Sequence, residues 1–247
     1  MKDRIKKIIV ENQNQNVKTK KRNFQFANTN KIVTLIGSRR VGKSYILFNK
    51  MNELKNKGLQ DKILYINFED ERLYNIKLEE LNLILEAYFE LFPENLNAEI
   101  YIFFDEIQTI SNWELFIRRL YDSKKYIIYL TGSSSKLLSK EIATSLRGRT
   151  LSFTIFPLSF KEFLNFKEVK LDKNYIYSHK VYTIKKYFNE YLEFGGFPEI
   201  LNEDLKIEVL QSYIDLIIYK DLIERYNIRN ITILKSLLFF LLSNVSK

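Results

Sequence analysis

KIVTLIGSRRVGKSYIL, residues 31–47, carries the clearest structural signal in the chain. A β-branched apolar run leads into Gly37, and after Gly42 the chain continues with the apolar spacing of a helix. A strand, a glycine-containing loop and a helix in this order are typical of a phosphate-binding P-loop. In such a loop Lys43 would reach the outer phosphates and the hydroxyl of Ser44 would bind Mg²⁺.

Glycine is rare in this chain, with only seven residues in 247, so random placement would rarely fill a motif that needs two at a fixed spacing. Six of the seven lie at candidate functional turns: Gly37, Gly42, Gly132, Gly148, Gly195 and Gly196. Backbone amides at the start of the helix would hold phosphate oxygens, assisted by the helix dipole. The expected nucleotide contacts are Gly37, Arg40, Val41, Gly42, Lys43, Ser44, Tyr45 and Ser133.

Short apolar strands alternate with helices through the first two thirds of the chain. The expected strands are 32–36, 62–68, 99–104, 126–130 and 151–156, and the expected helices between them are 43–57, 78–92 and 113–122. This alternation predicts an α/β fold, a three-layer αβα arrangement around a parallel sheet. After Pro157 the pattern becomes mostly helical. We expect a basic N-terminal helix and connector at 1–30, a P-loop core at 31–165 and a smaller helical region at 166–247.

An acidic pair follows the third expected strand, because EIYIFF runs directly into Asp105 and Glu106. Asp105 would hold Mg²⁺, usually through water, and Glu106 would polarise an attacking water. The fourth strand ends in Thr131 and Ser133, and either side chain could sense a γ-phosphate if this strand lies between the other two.

Two arginines, Arg147 and Arg149, follow in the segment LRGR. An arginine near a γ-phosphate stabilises charge in the transition state, and it can come from the same subunit or from a neighbour. The sequence leaves both arginines and both arrangements open.

The formal charge of +9 is concentrated at the N-terminus, where residues 1–36 hold nine Lys or Arg and two acidic residues. DNA is one partner that would suit this charge, but we favour a solvated, mobile connector for the basic run 18–22. Cysteine is absent, which excludes disulfides, and the single histidine, His179, excludes a His-based metal site. The N-terminus does not resemble a signal peptide, and the apolar window 231–245 is too short to span a bilayer. We therefore expect a cytoplasmic protein without a membrane partner.

Six segments in order, GSRRVGKS, YIFFDEIQ, YLTGSSSKLLS, SLRGR, FPLSFKEFL and EYLEFGGFPEIL, resemble a prokaryotic family of AAA-type P-loop ATPases. The resemblance covers about residues 31–229 and implies an ATPase core followed by a helical, winged-helix-like region and often a further C-terminal domain. It implies ATP contacts at Gly42, Lys43 and Ser44, an acidic pair at Asp105 and Glu106, Ser133 as the sensor, and Arg149 as the functional arginine.

The resemblance also implies a chain that continues beyond the apolar segment 237–242, so the helical region is expected to be incomplete. The predicted function is Mg²⁺-dependent ATP hydrolysis that switches the conformation of a C-terminal helical module, with a homo-oligomer if Arg149 acts between subunits. The alternative is a nucleotide-dependent switch that binds DNA or protein with little turnover. A small-molecule kinase is less favoured, because Glu106 beside Asp105 is better suited to activating water.

Overall fold

The computed structural model describes residues 1–133, 144–170 and 175–244. Part of the YLTGSSSKLLS motif, residues 134–139, lies outside the described residues, as do the last three positions, 245–247. The chain forms two compact units, Met1–Asn202 and Glu203–Lys247. The domain division expected at residues 30 and 165 stays a prediction, because compact packing alone does not define domain boundaries.

A parallel sheet forms the centre of the first unit. Its strands in the described residues are β1 (Ile32–Gly37), β2 (Ile63–Asn67), β3 (Ile100–Asp105), β4 (Tyr126–Ser133) and β5 (Thr150–Thr154). They are arranged in the order β2-β3-β4-β1-β5, and every neighbouring pair is parallel. The α/β fold with a parallel sheet is therefore confirmed, and each expected strand agrees with an observed one to within three residues at either end.

Helices cover both faces of the sheet. They are α1 (Lys2–Asn14), α2 (Lys43–Lys55), α3 (Asn82–Leu91) and α4 (Trp113–Asp122). Successive strand residues alternate between two apolar cores, with Phe104 on the side of α3 and α4 and Phe103 on the side of α2. The rings of Phe103 and Tyr129 stack with centroids 4.8 Å apart. A sheet buried on both faces explains why its strands are almost wholly apolar in sequence.

Helix α1 confirms the short N-terminal helix expected from the sequence. It buries one apolar face against α3 and β2, and the residues of this face are Ile5, Ile8 and Ile9. The Gln13 side chain donates a hydrogen bond of 2.9 Å to the carbonyl oxygen of Ile63 in the edge strand β2. The helix thus covers a strand edge that would otherwise offer unpaired backbone groups.

The chain after β5 is helical. In the first unit it forms α5 (Phe160–Phe166) and α6 (Lys180–Phe194). The second unit contains α7 (Lys206–Leu216), which continues as a π-helix over Ile217–Ile223, and α8 (Ile231–Ser243). Between residue 155 and residue 244 the described part of the chain contains no strand, which confirms a mainly helical region. The winged-helix expectation stays a prediction. No helix among the described residues is long and apolar enough to cross a membrane.

Candidate functional site

The carboxyl ends of β1, β3 and β4 meet at one edge of the sheet because these strands are parallel neighbours. They end at Gly37, Asp105 and Ser133. Strand β4 lies between β1 and β3, which is the condition under which Thr131 and Ser133 face the P-loop. The P-loop, the acidic pair and the end of β4 therefore come together, as the sequence predicted.

The P-loop connects the end of β1 to the first turn of α2. Gly42 caps this helix with a φ of 90°, a left-handed conformation that favours glycine. Lys43 is only 5 % exposed, and its Nζ donates hydrogen bonds to the carbonyl oxygens of Gly37 (3.2 Å) and Ser38 (3.1 Å). The lysine thus folds back over its own loop, beside the positive end of the helix dipole.

Asp105 is buried under a set of hydroxyl groups. The Tyr65 hydroxyl donates to Oδ2 at 2.9 Å, the Thr131 hydroxyl donates to Oδ1, and the Ser44 side chain is also hydrogen-bonded to this carboxylate. Burial raises the pKa of the Asp105 carboxyl, although the hydroxyl donors act in the opposite direction. Ser44 and Asp105 are side by side and together present the hard oxygen ligands that Mg²⁺ prefers.

Glu106 adopts an unusual backbone conformation, with a φ of 54°. Its amide donates to the Thr131 hydroxyl oxygen at 3.0 Å, and its Oε1 lies 3.6 Å from Nζ of Lys43. Its Oε2 accepts hydrogen bonds from the amide of Ser133 at 3.2 Å and from the side chain of Gln108. Left-handed conformations of residues other than glycine are held by their surroundings and are frequent at functional sites. This one directs the carboxylate of Glu106 at the P-loop lysine.

Arg40 and Tyr45, two other expected contacts, are exposed at the rim of the loop and in the first turn of α2. The Arg40 guanidinium is 3.3 Å from Oε2 of Glu199, and the ring of Tyr45, 54 % exposed, packs edge-on against Phe48. Their proposed contact with a nucleotide stays a prediction.

Arg149 lies at the opposite end of the sheet from the P-loop. It precedes β5, and its Nε and Nη2 bind the carboxylate of Asp122 at 2.9 Å and 3.0 Å, which holds the pKa of that carboxyl below its usual value. The neighbouring Thr150 is in register with Ile32, five positions before Gly37, which corresponds to about 16 Å along the strand. Within one chain Arg149 does not reach the loop. A contribution from a neighbouring subunit stays a prediction.

The burial of Asp105 leads to a prediction about stability. An ionised carboxylate without solvent is costly, so Asp105→Asn is expected to raise the Tm by about 2–4 °C without nucleotide, the effect of roughly 1 kcal/mol in a chain of this size. Burial raises the pKa of Asp105 in the folded state, so the ionised carboxylate lowers the free energy of unfolding at neutral pH. This destabilisation disappears as pH falls below about 3.9, where the carboxyl is protonated in both the folded and the unfolded protein.

Thermal unfolding between pH 4 and pH 7.5 measures this effect, with the exposed Asp61→Asn as a control of the same chemistry. A Tm of Asp105→Asn at or below that of the wild type at neutral pH would contradict the interpretation.

Sequence reasoning did not identify Tyr65 or Gln108 as parts of the site. Tyr65 lies in the apolar run of β2, where the sequence pattern does not distinguish it from the other core residues of the strand. Only the pairing of β2 with β3, in which Tyr65 is in register with Phe103, brings its hydroxyl to Asp105. Gln108 follows the acidic pair within YIFFDEIQ, and this proximity is the one signal that could have suggested it.

The basic run 18–22 was expected to be a solvated connector, and for Arg22 this prediction is wrong. Its Nη1 donates to the carbonyl oxygen of Val41 in the P-loop at 2.8 Å, and its Nε donates to Glu162 in α5 at 3.1 Å. At least four of the nine basic residues in 1–36 form ion pairs inside the first unit: Lys2, Lys6, Lys20 and Arg22. Less of the N-terminal charge is therefore available to a polyanion than the composition indicates.

A cleft of about 690 Å³ opens beside the P-loop, where FPLSFKEFL meets GGFPE. The amide of Leu158 donates to the carbonyl oxygen of Gly196 at 2.7 Å, and a Cβ at position 196 would lie 2.2 Å from the Leu158 carbonyl oxygen, so only glycine fits there. Most of the lining is apolar: Phe24, Ile46, Ile155, Phe156, Pro157 and Phe197. Arg22 and Asn23 add polar groups.

Residues 29–164, more than half of the chain, match the family described as AAA domain. The chain belongs to this AAA-type P-loop family. It is 49% identical over 221 residues to an uncharacterised protein of Methanocaldococcus jannaschii, covering 87% of this chain and 48% of that protein. An uncharacterised protein of Haemophilus influenzae is 34% identical over 228 residues, covering 91% and 54% respectively. This AAA chain thus spans about half the length of the curated relatives it matches.

Among solved structures, AMPPCP-bound DnaA of Aquifex aeolicus is 18% identical with a TM-score of 0.43, covering 76% of this chain and 57% of that one. The S. cerevisiae Hsp104–ADP complex is 12% identical with a TM-score of 0.47, covering 78% and 30%. Likeness at this level concerns the fold alone.

Proposed function

We propose that this AAA domain binds Mg²⁺·ATP at its P-loop and hydrolyses it. The observation that supports this most strongly is the convergence of Lys43 at the start of α2 with Asp105 and Glu106 at the end of β3. The Nζ of Lys43 is 3.6 Å from Glu106, and Glu106 directly follows the buried Asp105. A cation for phosphates, a metal-binding carboxylate and a carboxylate base are the groups that nucleotide hydrolysis requires.

The P-loop fits the phosphates of a nucleotide. Lys43 now donates to two carbonyl oxygens of its own loop, and phosphate oxygens would replace these acceptors. Free amides at the start of α2 add donors and the favourable end of the helix dipole. The apolar cleft beside the loop, with Asn23 at its wall, suits the base of the nucleotide.

Ser44 and Asp105 would hold Mg²⁺, since a hydroxyl and a carboxylate that already share a hydrogen bond can both face one cation. When bound, the ion would neutralise charge on the phosphates. Tyr65 and Thr131 keep the Asp105 carboxylate in place through their hydroxyl donors.

Glu106 is the base in this proposal. Its Oε2 is oriented by the amide of Ser133 and by Gln108, and its Oε1 is next to Lys43. Once Lys43 turns to the phosphates, Glu106 is released to hold a water molecule and to accept its proton. Ser133 thereby connects the end of β4 to the catalytic carboxylate, which supports its expected sensing role.

The proposed output is a conformational switch of the helical region that follows β5. Arg149, which pairs with Asp122 far from the P-loop of its own chain, would act on a neighbouring subunit in a homo-oligomer. The N-terminal charge gives little support to DNA as a partner, because several of its cations are already paired with acidic residues of the same chain.

The test is calorimetric titration of the purified chain with Mg²⁺·ATP, together with an assay of phosphate release. Binding with release supports the proposal. Binding without release supports the alternative of a nucleotide-dependent switch with little turnover. If neither ATP nor ADP binds at millimolar concentration, the proposal fails.

A further inference from the structure

We propose that Arg22 is a positioning residue for the nucleotide site: it orients the Val41–Gly42 peptide of the P-loop and ties that peptide, through Glu162, to the start of α5. The inference rests on the proposed function, since it assigns to Arg22 an effect on nucleotide affinity. Arg22 lies outside every motif that suggested the site and comes from the segment before β1.

The guanidinium of Arg22 binds three separate parts of the chain. Its Nη1 donates to the carbonyl oxygen of Val41 at 2.8 Å, and its Nη2 donates to the carbonyl oxygen of Phe156 at 3.0 Å. Its Nε and Nη2 bind the two carboxylate oxygens of Glu162 at 3.1 Å and 3.2 Å. This two-point contact between guanidinium and carboxylate is both strong and directional. One side chain therefore links the P-loop, the segment after β5 and helix α5.

The contact with Val41 matters because of the geometry of the peptide bond. In a planar trans peptide the carbonyl and the following N–H point in opposite directions, and no cis peptide occurs among the described residues. With the Val41 carbonyl held by Arg22, the Gly42 N–H points away from Arg22. Gly42 is one of the P-loop glycines whose backbone amides would cradle phosphate.

This peptide needs to be held in place from outside the loop. Gly42 has no Cβ and has a φ of 90°, so rotation of the Val41–Gly42 peptide meets little steric resistance. A rotated peptide would present a carbonyl oxygen to the phosphates in place of an amide. The hydrogen bond from Arg22 opposes this rotation before any nucleotide is bound.

Glu162 anchors the other end of the contact. Its side chain is 11 % exposed and that of Arg22 is 9 % exposed. The carboxylate also accepts hydrogen bonds of 3.0 Å from the backbone amides of Asn23 and Ser159. The bond from Ser159 is part of the capping box at the start of α5. Although burial acts in the opposite direction, the Arg22 guanidinium and these amides hold the pKa of Glu162 at about 2. The pair therefore stays ionised over the whole range in which the protein would work.

The test compares the Kd for Mg²⁺·ATP and the Tm without nucleotide in four variants of the full chain. Arg22→Gln removes the positive charge, and Arg22→Lys keeps the charge but lacks the planar guanidinium with its several donors. Glu162→Gln removes the carboxylate partner of Arg22, while the hydrogen bond from Arg22 to Val41 can still form. Lys20→Gln is the matched control, because Lys20 belongs to the same basic run and its ion pair with Glu168 is exposed.

Arg22→Gln is expected to raise the Kd about tenfold or more, which corresponds to at least about 1.4 kcal/mol. Arg22→Lys should show a smaller increase, since one ammonium cannot bind Val41 and Glu162 in the same way. Glu162→Gln should lower the Tm but raise the Kd less than Arg22→Gln does. Lys20→Gln should match the wild type in both quantities.

Two results would overturn the inference. If Arg22→Lys or Arg22→Gln lowers the Tm while the Kd of the folded protein stays that of the wild type, Arg22 has a structural role only. In that case wild-type binding and its loss in Lys43→Ala would leave the proposed function intact. If the wild type itself does not bind Mg²⁺·ATP, the proposed function and the inference fail together.

Discussion

Glu106→Gln is expected to lower the rate of phosphate release by about 10²- to 10⁴-fold, the contribution of a positioned general base, while the Kd for Mg²⁺·ATP changes little. Glutamine keeps the size of the side chain and an oxygen that can accept the Ser133 amide at the same place. It cannot take a proton from water. The loss should therefore appear in kcat and not in binding.

The matched control for this variant is Glu99→Gln. Glu99 is exposed and directly precedes the amino end of β3, whereas Glu106 directly follows its carboxyl end, so the same chemical change is made far from the P-loop. Single-turnover measurements with saturating ATP separate chemistry from product release. Phosphate release at the wild-type rate in Glu106→Gln would rule out Glu106 as the base.

Lys43→Ala is expected to raise the Kd for Mg²⁺·ATP by at least about 100-fold, since two charge-assisted hydrogen bonds to phosphate are each about twice as strong as neutral ones. The substitution has a second effect, because Lys43 is buried and donates to the carbonyl oxygens of Gly37 and Ser38. Those acceptors would lose their donor, and Glu106 would lose the cation beside it.

The Tm must therefore be measured together with the Kd. Lys43→Met keeps most of the aliphatic volume and separates the loss of charge from the loss of packing. Lys57→Ala is the control, because Lys57 is exposed just beyond the end of α2. A Lys43→Met protein that is folded and binds Mg²⁺·ATP as tightly as the wild type would show that this loop does not hold the phosphates.

The order of the elements was predictable because their signals are local. Each strand is a short apolar run, and each helix repeats its apolar residues at a spacing that the sequence itself displays. Helix α4 was expected at 113–122 and spans Trp113–Asp122. The P-loop and the acidic pair were predictable for a related reason, since each is a continuous motif at the end of a recognisable strand.

Arg149 shows what a continuous motif leaves undecided. The SLRGR segment places it shortly before a strand, but only the direction of β5 puts it at the amino ends of the strands, opposite the P-loop. Its partner Asp122 belongs to α4, 27 residues earlier in the chain. Such a pairing depends on how two elements cross the sheet, which no local pattern reports.

Local sequence patterns were enough to predict a parallel α/β sheet, the strand, loop and helix of the P-loop, and the carboxylates that follow β3. These depend on the chemistry and spacing of neighbouring residues. Three features became visible only in the folded chain: Tyr65 binds Asp105, Arg22 binds the P-loop, and Arg149 lies far from that loop in its own chain. Each depends on the relative positions of residues that are distant in sequence, and these positions follow from strand order and packing, which are set by the whole fold.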